Sequence, residues 1–121
     1  MKTSIIFLLI SLATLNLLSS QNEVQLSNIE VEEKDKHFRF FLDGDEYNGF
    51  IYENHNNENI KIKFEVKDGF QNGIYEEYYE NGKLKEKLNF KNGLLDGISE
   101  LYKENGKLKE KHIYKKGERF K

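Results

Sequence analysis

The sequence contains neither cysteine nor proline, and it has no excess of charge of one sign. Without cysteine, the chain can form no disulfide, no thiolate nucleophile and no cysteine-based metal site. Without proline, no residue interrupts the hydrogen bonding of a β-ladder. Because 19 Lys and Arg residues nearly balance 21 Asp and Glu residues, bulk charge does not indicate a nucleic-acid-binding protein.

Hydrophobic residues are also scarce, at 37% of the chain, whereas a third of the residues are charged. This composition alone would suggest disorder, but aromatic residues make up 13%, and disordered chains are poor in aromatics. The 121 residues are enough for one domain. The composition therefore favours a small, aromatic-rich fold.

The first twenty residues differ from all that follow. Lys2 gives a positive start, the run from Ile5 to Leu18 is nearly all apolar, and Ser19 and Ser20 are small. This three-part pattern predicts a helical signal peptide over residues 1–20, with cleavage near Ser20 and export to a periplasm or to the outside of the cell. A permanent membrane anchor is the alternative, but the run is shorter than the roughly 20 apolar residues that a spanning helix needs.

A period of 24 residues dominates the rest of the chain. The string Glu80–Lys87 returns unchanged as Glu104–Lys111, and further positions match at the same shift. The period divides the chain into a lead-in of capping strands at residues 21–48 and three repeats within residues 49–121. The predicted repeat units are residues 49–72, 73–96 and 97–120.

Each unit is predicted to form a β-hairpin. In the second unit the strands are Ile74–Tyr79 and Lys83–Phe90, joined at Asn81-Gly82, a strong turn signal because both residues tolerate positive φ. The expected fold is all-β, an elongated single antiparallel sheet of stacked hairpins.

The apolar pattern favours a three-residue loop that pairs Tyr79 with Lys83. Carried along the strands without interruption, this register places one set of side chains on a single face. It also opposes Glu76 to Glu86, Glu100 to Glu110, and Glu77 to Lys85. The predicted binding residues on that face are Ile74, Tyr78, Leu84, Leu88, Ile98, Tyr102, Leu108, Glu76, Glu86, Glu100 and Glu110.

The recurring string Gly-x-x-x-x-Tyr-Tyr-x-Asn-Gly-Lys-Leu-Lys, followed by an aromatic residue, Asn-Gly and Asp-Gly, resembles the MORN-repeat variant family of small bacterial proteins. Residues 73–97 carry it, and the resemblance extends over residues 48–121. It implies stacked hairpins that act as protein-binding or membrane-associating modules, some of them antitoxin-like. The first unit departs from the pattern, because His55 and Glu58 replace the second Tyr and the turn Gly, so a regular turn is not predicted there.

The opposed carboxylates and the Lys-rich runs each have two interpretations. The glutamate row is either architecture or a binding feature for a cationic group or calcium, and its repetition disfavours catalysis because an active site is normally built once. The runs at residues 83–87 and 107–111 are either a basic patch or a solvated face that blunts an edge. His37, His55 and His112 lack the spacing of metal ligands. No catalytic residue, metal site or cofactor is predicted.

A single sheet cannot bury its own apolar face, so a partner or a second copy is expected to cover what the lead-in strands leave open. The sequence therefore predicts an exported, non-enzymatic scaffold that binds a protein through its aromatic-aliphatic face. The alternatives are an antitoxin or immunity-like protein that neutralises a toxin, and a module that associates with a membrane surface. A homo-oligomer is a further partner hypothesis, whereas nucleic acid is not predicted.

Overall fold

In the computed structural model, which describes residues 22–121, short β-strands follow one another along the chain. A single 3-10 turn at Leu26–Asn28 separates the first two of them. The predicted signal-peptide helix lies outside the described residues. The strands are β1 Glu23–Gln25, β2 Glu30–Lys34, β3 His37–Leu42, β4 Asp45–Glu46, β5 Gly49–Asn54, β6 Ile60–Lys67, β7 Phe70–Tyr78, β8 Leu84–Lys91, β9 Leu94–Leu95, β10 Gly97–Tyr102, β11 Leu108–Lys115 and β12 Glu118–Arg119.

The strands form two sheets. The larger has the order β1-β5-β6-β7-β8-β10-β11-β12, with β9 paired to β8, and the smaller has the order β2-β3-β4. The prediction of an all-β, mostly antiparallel sheet of hairpins is confirmed. The prediction of a single sheet is wrong in two respects, because β1 runs parallel to β5 and because residues 30–46 form a sheet of their own. Tight turns with positive φ at Asp35-Lys36 and Asp43-Gly44 fold that segment back on itself.

Hairpins β5/β6, β7/β8 and β10/β11 repeat the same loop. In the second hairpin the Tyr79 amide donates to the Lys83 carbonyl at 2.9 Å, and the Gly82 amide donates to the Tyr79 carbonyl at 2.9 Å. Gly82 has a φ of +83°. These bonds close the predicted three-residue loop with its left-handed glycine, so that prediction is confirmed.

The first hairpin keeps this loop although its sequence departs from the pattern. The His55 amide donates to the Asn59 carbonyl at 2.8 Å, and the Glu58 amide donates to the His55 carbonyl at 3.0 Å. Glu58 occupies the place of the glycine with a φ of +68°. The regular turn that the sequence does not predict is therefore present, with a glutamate in a conformation that favours glycine.

Loops of successive hairpins are bonded to one another. The Tyr79 hydroxyl donates to the Tyr102 carbonyl at 2.8 Å, and His55, which replaces that tyrosine in the first unit, donates from Nε2 to the Tyr78 carbonyl at 2.8 Å. The Asn81 side chain likewise donates to the Glu104 carbonyl at 3.2 Å. The sequence period is thus a spatial period, in which each loop docks on the next.

The core lies where the small sheet packs on the large one. Its buried residues are Phe40, Tyr47, Ile51, Phe64 and Val66. From Phe40, aromatic rings continue across the large sheet through Phe64, Tyr75 and Phe90, with successive centroids 5.3, 5.9 and 6.4 Å apart. We call this side of the large sheet the covered face and the opposite side the open face. Nowhere in residues 22–121 is there a helix with the length and apolar character to cross a membrane.

Candidate functional site

Three β-bulges decide which side chains reach each face. The pairing Tyr78–Leu84 is followed by Glu77–Glu86, so Lys85 is an extra residue in β8. The equivalent shifts in the first and third hairpins leave out Lys61 and Lys109. Beyond each bulge, every side chain of the second strand lies on the face opposite to the one that an uninterrupted register gives.

The bulges divide the predicted binding residues between the two faces, so the prediction of one shared face is wrong. Leu88 pairs with Tyr75 on the covered face, where Glu86 and Glu110 also lie. The remaining predicted residues lie together on the open face. These are Ile74, Tyr78, Leu84, Ile98, Tyr102, Leu108, Glu76 and Glu100.

The open face carries the exposed apolar residues of the repeats in two stripes. One stripe lies near the loops and includes Ile60 and Leu108, which are 43% and 50% exposed. The other includes Ile74, Ile98 and Ile113, which are 45%, 41% and 54% exposed. Ile98 and Ile113 are direct cross-strand partners, whereas Asn89, the cross-strand partner of Ile74, lies between Ile74 and Ile98.

Between the two stripes runs a row of alternating charges, which we call the charge ladder. Its residues, in order across β6, β7, β8, β10 and β11, are Lys63, Glu76, Lys87, Glu100 and Lys111. Opposite charges on adjacent strands are mutually favourable. The ladder therefore leaves the open face nearly neutral while fixing the position of each charge.

Hydrogen bonds hold both glutamates of the ladder. The Tyr78 hydroxyl donates to Glu76 Oε2 at 2.9 Å, and the Tyr102 hydroxyl donates to Glu100 Oε2 at 2.9 Å. Desolvation, together with the bond to Glu76, raises the pKa of Tyr78 to about 12. The bond from Tyr102 and the one from Lys111 lower the pKa of Glu100. Each carboxylate is therefore held in position by a hydrogen bond from a tyrosine hydroxyl.

On the covered face, the predicted opposition of Glu76 to Glu86 is wrong. Because Lys85 is bulged out, Glu86 faces Glu77 instead, and the Lys85 ammonium bonds Glu77 Oε1 at 2.7 Å. The predicted Glu77–Lys85 contact is thus present. Desolvation, followed by the charge of Glu77, raises the pKa of Glu86. In the third hairpin Leu101 faces Glu110, so the predicted Glu100–Glu110 pair is also absent.

The far end of the covered face, away from the core, forms a shallow concavity of about 280 Å³. Glu86, Glu110, His112 and Arg119 are among its lining residues. His112 Nε2 lies 3.2 Å from Glu110 Oε2. Within residues 22–121, no three His, Asp or Glu side chains are grouped in a way that can hold a metal ion.

The Lys-rich runs do not form one basic patch. In the second unit Lys85 lies on the covered face beside Glu77, while Lys87 lies on the open face between Glu76 and Glu100. Each of these lysines is thus next to a carboxylate. This arrangement matches a solvated face better than a surface for a polyanion.

From the first hairpin to the third, the residue types at equivalent positions change differently on the two faces. On the covered face, several apolar residues give way to polar ones from the first hairpin to the third, although Glu53 and Glu77 are followed by Leu101, and Val66 and Phe90 by Tyr114. At three equivalent positions the successive residues are Ile51, Tyr75 and Ser99, then Phe64, Leu88 and His112, then Ile62, Glu86 and Glu110. On the open face the second and third hairpins keep identical residues at five of their positions. The retained pairs are Ile74 and Ile98, Glu76 and Glu100, Tyr78 and Tyr102, Leu84 and Leu108, and Lys87 and Lys111.

Ile113 and the ladder lysines are missing from the predicted set of binding residues. Without a bulge, strand alternation places them on the opposite side from Ile74. The only sequence signal for the bulge is the recurrence of an extra lysine at Lys61, Lys85 and Lys109. The recurrence of these lysines can be interpreted as a bulge only when the pairing of the strands is known.

A family model described as MORN repeat variant matches residues 71–92 and 95–116. The two matched segments contain most of hairpins β7/β8 and β10/β11, and thus most of the open face. No curated protein and no solved structure matches the chain.

Proposed function

From the premise that residues 71–116 are two repeats of the MORN repeat variant family, we propose that this protein is a scaffold that binds another protein through its open face. Repeats of this family typically bind proteins and are generally non-catalytic. Membership of the family does not by itself identify the binding surface or the residues that form it.

The observation that carries this proposal is the contrast between the two faces. Three positions of the covered face become polar where the small sheet no longer packs on it, as expected for a surface that meets water, while Leu101 and Tyr114 remain there. The open face keeps isoleucine, leucine and tyrosine in both repeats, although their side chains are up to half exposed. In the stripe near the loops Tyr78 pairs with Leu84 and Tyr102 pairs with Leu108, and clustered exposed apolar surface of this kind marks an interaction site in a folded protein.

The charge ladder favours a protein over a membrane or a nucleic acid as the partner. Its three lysines alternate with two glutamates, and Lys63 is further bonded to Glu23 Oε1 at 2.8 Å. A polyanion binds contiguous positive charge, which this arrangement lacks. Apolar stripes beside fixed charges of both signs are instead suited to a protein surface, where charge fixes the orientation of binding.

We extend the proposal to an exported protein, because residues 1–20 have the pattern of a signal peptide. Expression of the full chain in a bacterial host, followed by N-terminal sequencing of the purified product, tests this. A mature chain that begins near Gln21 in the exported fraction supports export. Intact protein confined to the cytoplasm contradicts it.

The binding proposal is tested by chemical cross-linking and co-purification in the native source. The open-face variant is Ile74→Ser/Ile98→Ser, and its matched control is Leu88→Ser on the covered face. We expect the wild type to recover a cross-linked protein, which is either another protein or a second copy. The open-face variant is expected to lose it.

Folding of each variant is checked by circular dichroism and by its urea midpoint. Because Ile74 and Ile98 are more than 40% exposed, their replacement is expected to change stability by less than about 0.5 kcal/mol per site. Leu88→Ser is expected to lower stability yet keep the cross-link. Equal recovery by the folded open-face variant contradicts the proposed surface.

A further inference from the structure

The charge ladder has a symmetry that selects a partner. A two-fold rotation about an axis parallel to the strands reverses the order of the strands but keeps each residue at its height along them. If the axis passes between β8 and β10, Lys87 meets the partner's Glu100, and Glu76 meets the partner's Lys111. The symmetry repeats both contacts, so four pairs of opposite charge form.

The same rotation matches the apolar stripes. Ile74 on β7 meets the partner's Ile113 on β11, because both lie in the stripe that contains the Ile98–Ile113 pair. Near the loops, Leu84 on β8 meets the partner's Tyr102 on β10. Apolar residues therefore meet apolar residues at these positions while the ladder meets itself in opposite charge, and Ile98 on β10 meets the partner's Asn89 on β8.

Other positions of the axis do not give this match. An axis through β8 opposes Lys87 to the partner's Lys87 and Glu76 to the partner's Glu100, which is repulsive. An axis between β7 and β8 also opposes unlike charges, but it uses Lys63, whose ammonium is bonded to Glu23 outside the ladder and lies 5.1 Å from the centre of the Phe50 ring, whereas Lys111 is bonded to Glu100 within the ladder. The ladder thus selects the gap between β8 and β10.

We propose that the open face packs against a second copy of this chain, in a two-fold symmetric sandwich whose axis runs between β8 and β10. This proposal rests on the proposed function, since it names the protein that the open face binds. Packed sheets lie about 10 Å apart, a separation that a lysine and a glutamate reaching toward each other can span. The apolar stripes supply affinity, and the ladder sets the register of the two copies.

The absence of cysteine allows a direct test by engineered cross-linking. In one chain, Ile74 and Ile113 are three strand spacings apart, about 14 Å, which is too far for a disulfide. In the proposed dimer the two positions meet. Facing positions of packed sheets lie about 10 Å apart, beyond the reach of a disulfide but within that of a short bis-maleimide. The full chain with Ile74→Cys/Ile113→Cys, treated with a bis-maleimide too short to span about 14 Å, is therefore expected to give a covalent dimer, whereas Ile74→Cys alone is not.

Sedimentation of the full chain over a concentration series provides a second measurement. The wild type is expected to reach twice the mass of one chain. Glu76→Lys/Glu100→Lys and Lys87→Glu/Lys111→Glu are each expected to remain single chains, and their mixture is expected to restore the doubled mass. A control with equal charge change on the small sheet, Glu30→Lys/Glu32→Lys, is expected to stay dimeric.

A wild type that stays a single chain at every concentration, or a double-cysteine variant that gives no covalent dimer, overturns the second-copy proposal. If Ile74→Ser/Ile98→Ser then still loses a different cross-linked protein, the proposed function stands and only its partner changes. Cross-linking of the single-cysteine variant as efficiently as the double variant also overturns the proposal, because it requires a different axis.

Discussion

At the scale of single residues, the contact between Glu77 and Glu86 is an unfavourable feature of the sheet. The two carboxylates are direct partners across β7 and β8, and one lysine, Lys85, bonds only Glu77. Like charges directly opposed on adjacent strands destabilise a sheet. Desolvation, followed by the charge of Glu77, raises the pKa of Glu86, and the second of these causes is this repulsion.

Neutralising this carboxylate should stabilise the protein. We expect Glu86→Gln to raise the free energy of unfolding at pH 7 by about 0.2–1 kcal/mol, measured by urea denaturation. Because the pKa of Glu86 is raised in the folded state, protonation favours folding. The advantage of the variant over the wild type is therefore expected to shrink as pH falls through the folded-state pKa toward the ordinary range of a carboxyl group.

Glu110→Gln is the matched control, because Glu110 is the equivalent residue one repeat later and faces Leu101 rather than a carboxylate. It is expected to change stability much less at pH 7. Glu77→Gln removes the same repulsion but also the ion pair with Lys85, so its gain should be smaller than that of Glu86→Gln. A constant difference between Glu86→Gln and the wild type across the pH range contradicts the electrostatic explanation.

At the scale of the hairpin, the sequence predicts the loop but not the bulge that follows it. Asn81-Gly82 and the alternation of Ile74, Tyr78 and Leu84 are local signals, and they are enough to fix the three-residue loop. The extra residue at Lys85 recurs at Lys61 and Lys109, in hairpins whose covered-face residues differ, so the apolar alternation within one hairpin does not mark it. The sequence pattern therefore predicts the wrong cross-strand partners for Glu86 and Glu110.

The loop of the first hairpin offers a test of how turn conformation contributes to stability. Glu58 adopts a φ of +68°, which is strained for a residue with a Cβ. We expect Glu58→Gly to raise the free energy of unfolding by up to about 1 kcal/mol, since the relief of strain exceeds the added flexibility of the unfolded chain. Thermal and urea denaturation measure this change.

Gly82→Ala is the reciprocal control in the second hairpin. Gly82 has a φ of +83°, and a Cβ placed there has no atom within 4 Å, so the substitution changes backbone preference without a clash. It is expected to lower the free energy of unfolding by about 1 kcal/mol. If both substitutions raise the free energy of unfolding, or if neither does, φ is not the property that limits the stability contributed by these loops.

At the scale of the whole molecule, burial is concentrated at one end of the repeat array. The buried residues lie between Phe40 and Val66, where the small sheet packs on β5 and β6. The lead-in strands supply Phe40 to this core, with Leu26, Ile29 and Leu42 packed around it, whereas Val31 and Phe38 stay about half exposed. The second sheet could not be predicted, because it depends on tight turns at Asp35 and Asp43 rather than on a repeat.

This uneven burial predicts a gradient of local stability along the array. Amide hydrogen exchange is expected to be slowest in β5 and β6 and fastest in β11 and β12, because opening free energy follows the apolar contacts of each strand. Ile51, which is fully buried, and Ile98, which is 41% exposed, provide matched substitutions. Ile51→Val is expected to cost about 0.5–1.5 kcal/mol, and Ile98→Val less than about 0.5 kcal/mol.

The gradient also separates the core from the proposed interface. If a second copy covers the open face, protection of β10 and β11 should rise with protein concentration, because association stabilises only the strands that it buries. Protection of β5 and β6 should depend less on concentration, because their contacts lie within one chain. Equal protection in β5 and β11 at low concentration would contradict the gradient, and would mean that the repeat hairpins stabilise one another without the core.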